Sequence, residues 1–186
     1  MTNPLVSLVA FQACWFACVG GAARGFPWLG PLAVAAYAGV YVRTIPSGAA
    51  RTRQAWLLAQ AGTFGYAADS VLVLSGVLTF PPQAVLGWPS TAWMVALWVL
   101  QAAVLGGVMS WMRGRFALAA VVGAVGGPLA YLAGERMGAA MLAPTQPVAL
   151  AAIAVEWALA MPWLVWMEQR ARTGAAGDHR NERFAQ

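Results

Sequence analysis

Six long runs of apolar residues, separated by short stretches that contain glycine, proline or arginine, dominate this 186-residue chain. An α-helix rises about 1.5 Å per residue, so about 20 apolar residues cross a hydrocarbon core about 30 Å thick. The candidate segments, of which the second is short, span residues 5–22, 28–42, 55–80, 91–112, 116–134 and 147–167. We therefore predict an all-α fold, a polytopic transmembrane helical bundle of about six helices.

The charged residues support this class and indicate an orientation. Only 9% of the chain is charged, against about 25% in soluble domains, and its 11 basic residues, all arginine, lie in short clusters between the apolar runs. Short arginine-rich loops stay in the cytoplasm. A cytoplasmic N-terminus and C-terminus place every arginine except Arg24 and Arg136 inside. The pattern predicts a multi-pass protein of the bacterial inner (cytoplasmic) membrane and argues against a nucleic-acid partner.

The chain is expected to form one transmembrane helical domain, residues 1–172, followed by a polar cytoplasmic tail, residues 173–186, that we expect to be disordered. The connections contain turn and helix-breaking residues rather than a linker between domains. No basic residue precedes the first apolar run, as a secretory signal would normally require, so we expect that run to be retained.

Several kinds of chemistry lack the residues that they need. The chain has no lysine, its single histidine, His179, lies in the polar tail, and its two cysteines, Cys14 and Cys18, lie on one face of the first segment. A Schiff-base lysine, a histidine-ligated metal or haem, and a Ser-His-Asp triad are therefore not expected in the apolar part. We predict no metal, no cofactor, and reduced cysteines that serve packing.

Two carboxylates lie near the middle of apolar segments, where an acidic side chain costs roughly 2.5 to 3.5 kcal/mol on insertion scales. Asp69 is in the third segment and Glu156 in the sixth. We expect both to face a common interior, within hydrogen-bonding reach of a central glutamine. The candidate polar intramembrane site comprises Asp69, Glu156, Gln12, Gln101 and Tyr66. The alternative is that these groups only hydrogen-bond helices together.

Two further patterns accompany this site. Three hydroxyl residues recur at helical spacing beside Asp69, namely Thr63, Tyr66 and Ser70. They predict one polar stripe on the third helix that faces protein or water rather than lipid. Three tryptophans lie mid-span, namely Trp15, Trp98 and Trp157. Packing is their main expected role, and walling of a polar pocket is the alternative.

A second candidate site lies at the outer ends of the segments. It comprises Arg24, Trp28, Tyr131, Glu135 and Arg136. Cationic and aromatic side chains at a membrane interface are suited to bind a lipid head group while the helices hold its acyl tails. The alternative is that Glu135 and Arg136 form an interfacial ion pair.

Four stretches resemble a single family: residues 11–16, residues 26–31, the Asp69-Ser70 segment that ends at Phe80, and residues 125–134 with the run Gly-Gly-Pro-Leu-Ala-Tyr. Up to about Met167 the chain resembles the DUF2878 family of small multipass bacterial membrane proteins of unknown function. The resemblance implies an inner-membrane protein and an association with membrane-lipid or light-stress physiology. It implies no catalytic residue.

The expected function is to bind or handle a lipid or another small hydrophobic molecule in the inner membrane, so membrane lipid is the expected partner. A membrane-embedded enzyme that acts on lipid through the paired carboxylates is the first alternative. A small proton-coupled carrier and a scaffold are the others.

Overall fold

The computed structural model describes residues 4–45 and 48–184, with only the backbone of Pro4 and of residues 173–184. Within that part of the chain, six α-helices confirm the all-α prediction. They are α1 (Pro4–Ala23), α2 (Leu29–Arg43), α3 (Gly48–Leu74), α4 (Ala92–Leu105), α5 (Phe116–Arg136) and α6 (Gln146–Phe184). The turn predicted at Pro46 and Ser47 lies outside the described residues.

Four of the described helices are long and apolar enough to cross a membrane, namely α1, α3, α5 and the part of α6 up to Arg172. The other two are shorter, since α2 has 15 residues and α4 has 14, which correspond to about 22.5 and 21 Å of helix. Helices of this length and composition are those of a transmembrane protein. The side of the membrane on which each terminus lies stays a prediction.

The connection after α3 contains a short strand that the sequence did not predict. α3 ends at Leu74 rather than at residue 80. The chain turns at Gly76, whose φ of 73° is readily accessible only to glycine. The N–H of Val77 donates to the carbonyl of Leu72 at 2.9 Å, and the N–H of Gly76 donates to that of Val73 at 3.0 Å. This pair of bonds closes the helix end and releases the chain as β1 (Leu78–Thr79).

The same motif ends α5, where Gly138 has a φ of 82°. The N–H of Ala139 donates to the carbonyl of Gly134 at 2.9 Å, and the chain continues into β2 (Met141–Leu142). The two strands pair antiparallel, with Leu78 opposite Leu142. The strand pair thus joins the α3–α4 and α5–α6 connections at one end of the bundle, called the sheet end below.

The fourth segment is also shorter than predicted. α4 ends at Leu105 rather than at residue 112, because Gly106 and Gly107 are poor helix formers. A turn of 3-10 helix, Ser110–Met112, follows before α5 begins.

α4 lies at the centre of the bundle and packs against α1, α2, α3 and α6, while α5 packs mainly against α6. α1 and α2 approach closely, since a Cβ added to Gly30 would lie 2.4 Å from the Cα of Cys18. Cys14 and Cys18 are free and buried at this contact. No comparable packing joins the described parts of α1 and α5, so a space remains between these two helices.

α6 continues as helical backbone to Phe184, beyond the predicted end of the sixth segment at residue 167 and through most of the tail that was expected to be disordered. Helix propensity does not explain this continuation, since residues 173–184 include two glycines, an aspartate and an asparagine. The assignment of residues 1–172 to a single domain stays a prediction.

Candidate functional site

Asp69 lies in the interior of the bundle and is completely buried. Its Oδ2 accepts a hydrogen bond from the indole N–H of Trp98, with 2.9 Å between Nε1 and Oδ2. Its Oδ1 accepts a short hydrogen bond from the hydroxyl of Tyr131. The three side chains come from α3, α4 and α5. Two donors therefore offset part of the cost of burying a carboxylate among membrane helices.

Trp98 belongs to a layer of aromatic rings and glycines that runs across four helices. Its ring stacks on Trp157 of α6, with 4.4 Å between centroids and 14° between ring planes. A Cβ added to Gly65 would lie 2.0 Å from Cγ of Trp98, and one added to Gly127 would lie 2.4 Å from Cγ of Trp157. Only glycine leaves room for the rings at these two positions.

Glu156 lies beside this layer, close enough to Asp69 and Tyr131 to interact with them electrostatically. Both oxygens of its carboxylate are buried and have no hydrogen-bond partner among the described residues. The two intramembrane acids therefore share one region of the interior but differ in their hydrogen bonding. Asp69 accepts hydrogen bonds from two donors, whereas Glu156 accepts none from the described residues.

A partly open cavity of about 260 Å³ lies between α1 and α5, with α4 and α6 behind it. Most of its lining is apolar, and its aromatic walls are Phe11, Trp15, Trp93, Trp98 and Trp157. Its polar lining residues are Gln12, Gln101 and Tyr131. An apolar cavity of about 150 Å³ already accommodates benzene, so this one is large enough for a larger molecule or for a segment of a long chain. All three mid-span tryptophans thus serve both packing and a pocket wall.

The cavity opens sideways between α1 and α5. Towards the sheet end, α1 and α5 come close together and close the cavity. A Cβ added to Gly134 of α5 would lie 4.0 Å from the side chain of Val19 of α1. A Cβ added to Gly20 of α1 would lie 3.6 Å from the side chain of Met137, just after α5. Gly126 lies further from that end and is exposed, and a Cβ added there would meet nothing within 4 Å. Since α1 and α5 are both candidate membrane spans, we expect the opening to face the hydrocarbon region.

Gln12 and Gln101 place two primary amides in the cavity rather than beside the carboxylates. Gln101 donates to the sulfur atoms of Met109 at 3.2 Å and of Met161 at 3.5 Å, and thioethers are weak acceptors. Gln12 is exposed, and no hydrogen bond of its amide is found within the described chain. Neither glutamine forms the expected hydrogen bond to Asp69. Trp98 and Tyr131 donate to that carboxylate instead and occupy the space around it.

Tyr66 stands apart from Asp69, although it lies within one turn of the same helix. Its side chain is exposed, and its hydroxyl donates to the carbonyl of Trp88 at 3.0 Å. Thr63 is also exposed and donates to the backbone carbonyl four residues earlier, at 3.0 Å. At these two positions the predicted polar stripe points outward, because nearby backbone acceptors satisfy both hydroxyls.

The structure does not bring the five outer candidates into one site. Tyr131 turns inward to Asp69. Glu135 accepts hydrogen bonds from the N–H of Leu142 and from the amide of Gln146, each at 2.9 Å, and so links α5, β2 and α6. The members that remain exposed are Arg24, Trp28 and Arg136. Head-group binding by these three stays a prediction.

A third buried carboxylate, Glu168, lies at the end of the bundle opposite the sheet, and sequence reasoning missed it. Its side chain is 1% exposed, it pairs closely with Arg172, and its Oε2 lies 3.5 Å from Nε of Arg113. Arg172 also donates to the carbonyl of Gly106 at 2.7 Å. The spacing of Glu168 and Arg172, one helical turn apart, was the available signal. This cluster ties the end of α4 to α6.

No curated protein and no solved structure matches the chain at a significant level. A family model, described as a protein of unknown function (DUF2878), matches residues 4–163. That range contains every side chain of the cavity and both Asp69 and Glu156. The chain therefore belongs to the DUF2878 family of proteins of unknown function.

Proposed function

We propose that the protein binds a lipid or another small hydrophobic molecule of the membrane in the cavity between α1 and α5. The observation that carries the proposal is an apolar cavity between two candidate membrane spans. A molecule dissolved in the membrane enters such a site sideways, without passing through water. Ligand sites between the helices of a bundle are common.

The cavity walls support this role because they are held in place. Trp98 and Trp157 stack on each other and are fixed by Gly65 and Gly127, so neither ring is free to turn into the space. A preformed cavity avoids the entropic cost of ordering its walls when a ligand binds. Hydrocarbon chains of lipid are as apolar as these walls, so discrimination rests on shape and on the few polar groups.

A second candidate function is proton transfer, either in an enzyme that acts on lipid or in a proton-coupled carrier. Glu156 favours it, because a buried carboxylate without a hydrogen-bond partner is costly and such residues in membrane segments are often functional. We rank it second since neither Asp69 nor Glu156 lines the cavity, so neither acid reaches a bound molecule directly.

The test of ligand binding compares three proteins purified from membranes in the same detergent: wild type, Gly126→Phe and Gly39→Phe. Gly126 lines the cavity, so we expect a Phe side chain there to obstruct the cavity or its opening. Gly39 is the matched control, because it is also an exposed helical glycine at which an added Cβ meets nothing within 4 Å. Extracted lipids and other small molecules are quantified per mole of protein by mass spectrometry.

We expect one class of molecule to copurify with wild type and with Gly39→Phe in near-equal molar amounts and to be largely lost from Gly126→Phe. Thermal unfolding of the three proteins shows that each is folded. Equal retention by all three proteins contradicts binding in this cavity. The lipid composition of cells with and without the gene then indicates whether the bound molecule is altered as well as held.

A further inference from the structure

We infer that the cavity takes a neutral hydrophobic molecule that carries an uncharged hydrogen-bonding group, such as a hydroxyl, a carbonyl or an ester, rather than a charged head group. The inference rests on the proposed function and names the ligand class for the same cavity. Two independent features of the lining support it, namely its lack of charge and its unsatisfied amides.

None of the described residues that line the cavity carries a charge. A phosphate or carboxylate in such a site would lose its hydration without gaining a counterion. The arginines at the end opposite the sheet, Arg113 and Arg172, are engaged by Glu168. A cationic group is no better served, because Asp69 lies behind Trp98 and Tyr131 and does not reach the cavity.

The amides of Gln12 and Gln101 need partners that the protein does not supply. Gln101 donates only to two thioether sulfurs, and the described chain offers Gln12 no hydrogen bond. An amide that faces an apolar cavity away from water costs free energy if it has no good hydrogen-bond partner. A primary amide both donates and accepts, so it serves a ligand hydroxyl or a ligand carbonyl equally well. Tyr131 adds an acceptor, because its hydroxyl hydrogen is already directed to Asp69.

The test uses four brominated probes of equal chain length: ω-bromoundecanol, bromoundecane, and the permanently charged ω-bromoundecyl sulfate and ω-bromoundecyl trimethylammonium. Bromine quenches tryptophan fluorescence, and four tryptophans wall the cavity, Trp15, Trp93, Trp98 and Trp157. The protein is placed in lipid nanodiscs, and each probe is counted per lipid so that different partitioning into the bilayer does not matter. Quenching of Gly126→Phe gives the component that does not come from the cavity, and it is subtracted.

We expect saturable quenching by ω-bromoundecanol with an apparent affinity about fivefold to tenfold tighter than that of bromoundecane, the effect of one hydrogen bond in an apolar site. Both charged probes should bind at least about tenfold more weakly than the alcohol. In Gln101→Leu the preference for the alcohol over the alkane should disappear. Gln60→Leu is the matched control, because Gln60 is exposed on α3 and does not line the cavity.

The outcomes separate the inference from the proposal on which it rests. If the charged probes saturate the cavity as tightly as the alcohol, or if Gln101→Leu and Gln12→Leu both keep the full preference for the alcohol, the ligand class inferred here is wrong while the cavity remains a binding site. If no probe quenches wild type more than Gly126→Phe, the cavity does not bind hydrophobic molecules and the proposed function fails.

Discussion

The indole rings of Trp98 and Trp157 lie nearly parallel, 4.4 Å apart between centroids, with the N–H of Trp98 directed at Asp69. Both rings also line the cavity. The pair therefore forms a wall with the apolar cavity on one side and the buried acid on the other. Because Gly65 packs against Trp98 and Gly127 packs against Trp157, we expect a change that shifts one ring to alter the shape of the cavity and the hydrogen bonds of Asp69 together.

The glycines that contact the two rings are the first test of this arrangement. Gly65→Ala and Gly127→Ala each place a methyl carbon that clashes with an indole ring, 2.0 and 2.4 Å from its Cγ atom respectively. We therefore expect each variant to lower the free energy of unfolding by about 1–3 kcal/mol or more. Thermal unfolding in detergent measures the effect. Gly39→Ala is the control, because its Cβ meets open space. If Gly65→Ala unfolds at the temperature of Gly39→Ala, the rings move aside easily and the wall is not rigid.

The hydroxyl of Tyr131 provides a second prediction. Tyr131→Phe removes one of the two donors to a fully buried carboxylate, and we expect a loss of stability of about 1–3 kcal/mol. Tyr66→Phe removes a hydroxyl that donates to a backbone carbonyl from an exposed side chain, so its effect should be smaller. Unfolding temperatures of both variants in the same detergent compare them. Equal losses would show that the Tyr131 bond contributes no more than an exposed one.

The two intramembrane acids should respond in opposite directions to amide substitution. Asp69→Asn disturbs two accepted hydrogen bonds and should destabilise the protein by about 1–3 kcal/mol. Glu156→Gln removes a carboxylate whose oxygens are buried without partners, and a neutral amide costs less to bury, so the variant should be at least as stable as wild type. Unfolding measurements decide, and a clear loss for Glu156→Gln would contradict this assignment.

The Glu156→Gln variant also separates ligand binding from proton transfer. If the protein only holds a ligand, Glu156→Gln restores the cellular lipid composition of a deletion strain as fully as wild type does. If it is an enzyme or a carrier that transfers a proton through Glu156, that variant fails to restore it although the protein is folded and present in the membrane. Protein amounts in the membrane fraction are measured alongside.

At the end opposite the sheet, Arg172 should matter more than Arg113. Arg172 makes the closer contact with the buried Glu168 and donates to the carbonyl of Gly106 at 2.7 Å, whereas Arg113 lies 3.5 Å from the same carboxylate and donates to the same carbonyl at 3.4 Å. We expect Arg172→Met to cost about 1–3 kcal/mol and Arg113→Met to cost about 1 kcal/mol or less. Denaturation of both variants at low and high salt tests the order, and a reversed order contradicts the geometry.

Topology is tested with reporter fusions. Because most arginines lie in alternate loops, fusions after Gly48, Gly114 and Gly174 should report cytoplasm, and fusions after Gln83 and Ala143 should report periplasm. The strand pair of the structure places the α3–α4 and α5–α6 connections on one side, as this assignment requires. A periplasmic signal at Gly114 would overturn the six-span orientation, and either α2 or α4, the two short helices, then does not cross. The fusion after Gln83 distinguishes them, because it reports cytoplasm if α2 does not cross and periplasm if α4 does not.

The sequence alone was enough to determine the class of fold, because that class follows from the local pattern of apolar residues. Apolar runs of sufficient length predict membrane helices because lipid offers the backbone no hydrogen-bond partners, and a carboxylate in such a run is conspicuous because it is costly. For these reasons the sequence predicts six helices, as the described part of the structure has them. It also marks Asp69 and Glu156 as carboxylates within apolar segments. The sequence also shows the mid-span tryptophans, but it does not predict that Trp98 and Trp157 stack on each other.

Everything that depends on how the helices are rotated and paired was decided by the tertiary structure. Asp69 takes its donors from two other helices, Tyr131 turns inward from a segment assigned to the outer face, and the two glutamines face a cavity instead of the acids. The carbonyl of Gly106, just after α4, accepts a hydrogen bond from Arg172 of α6. Such partners are distant in sequence and near in space, so no local pattern encodes them, and only packing brings them together.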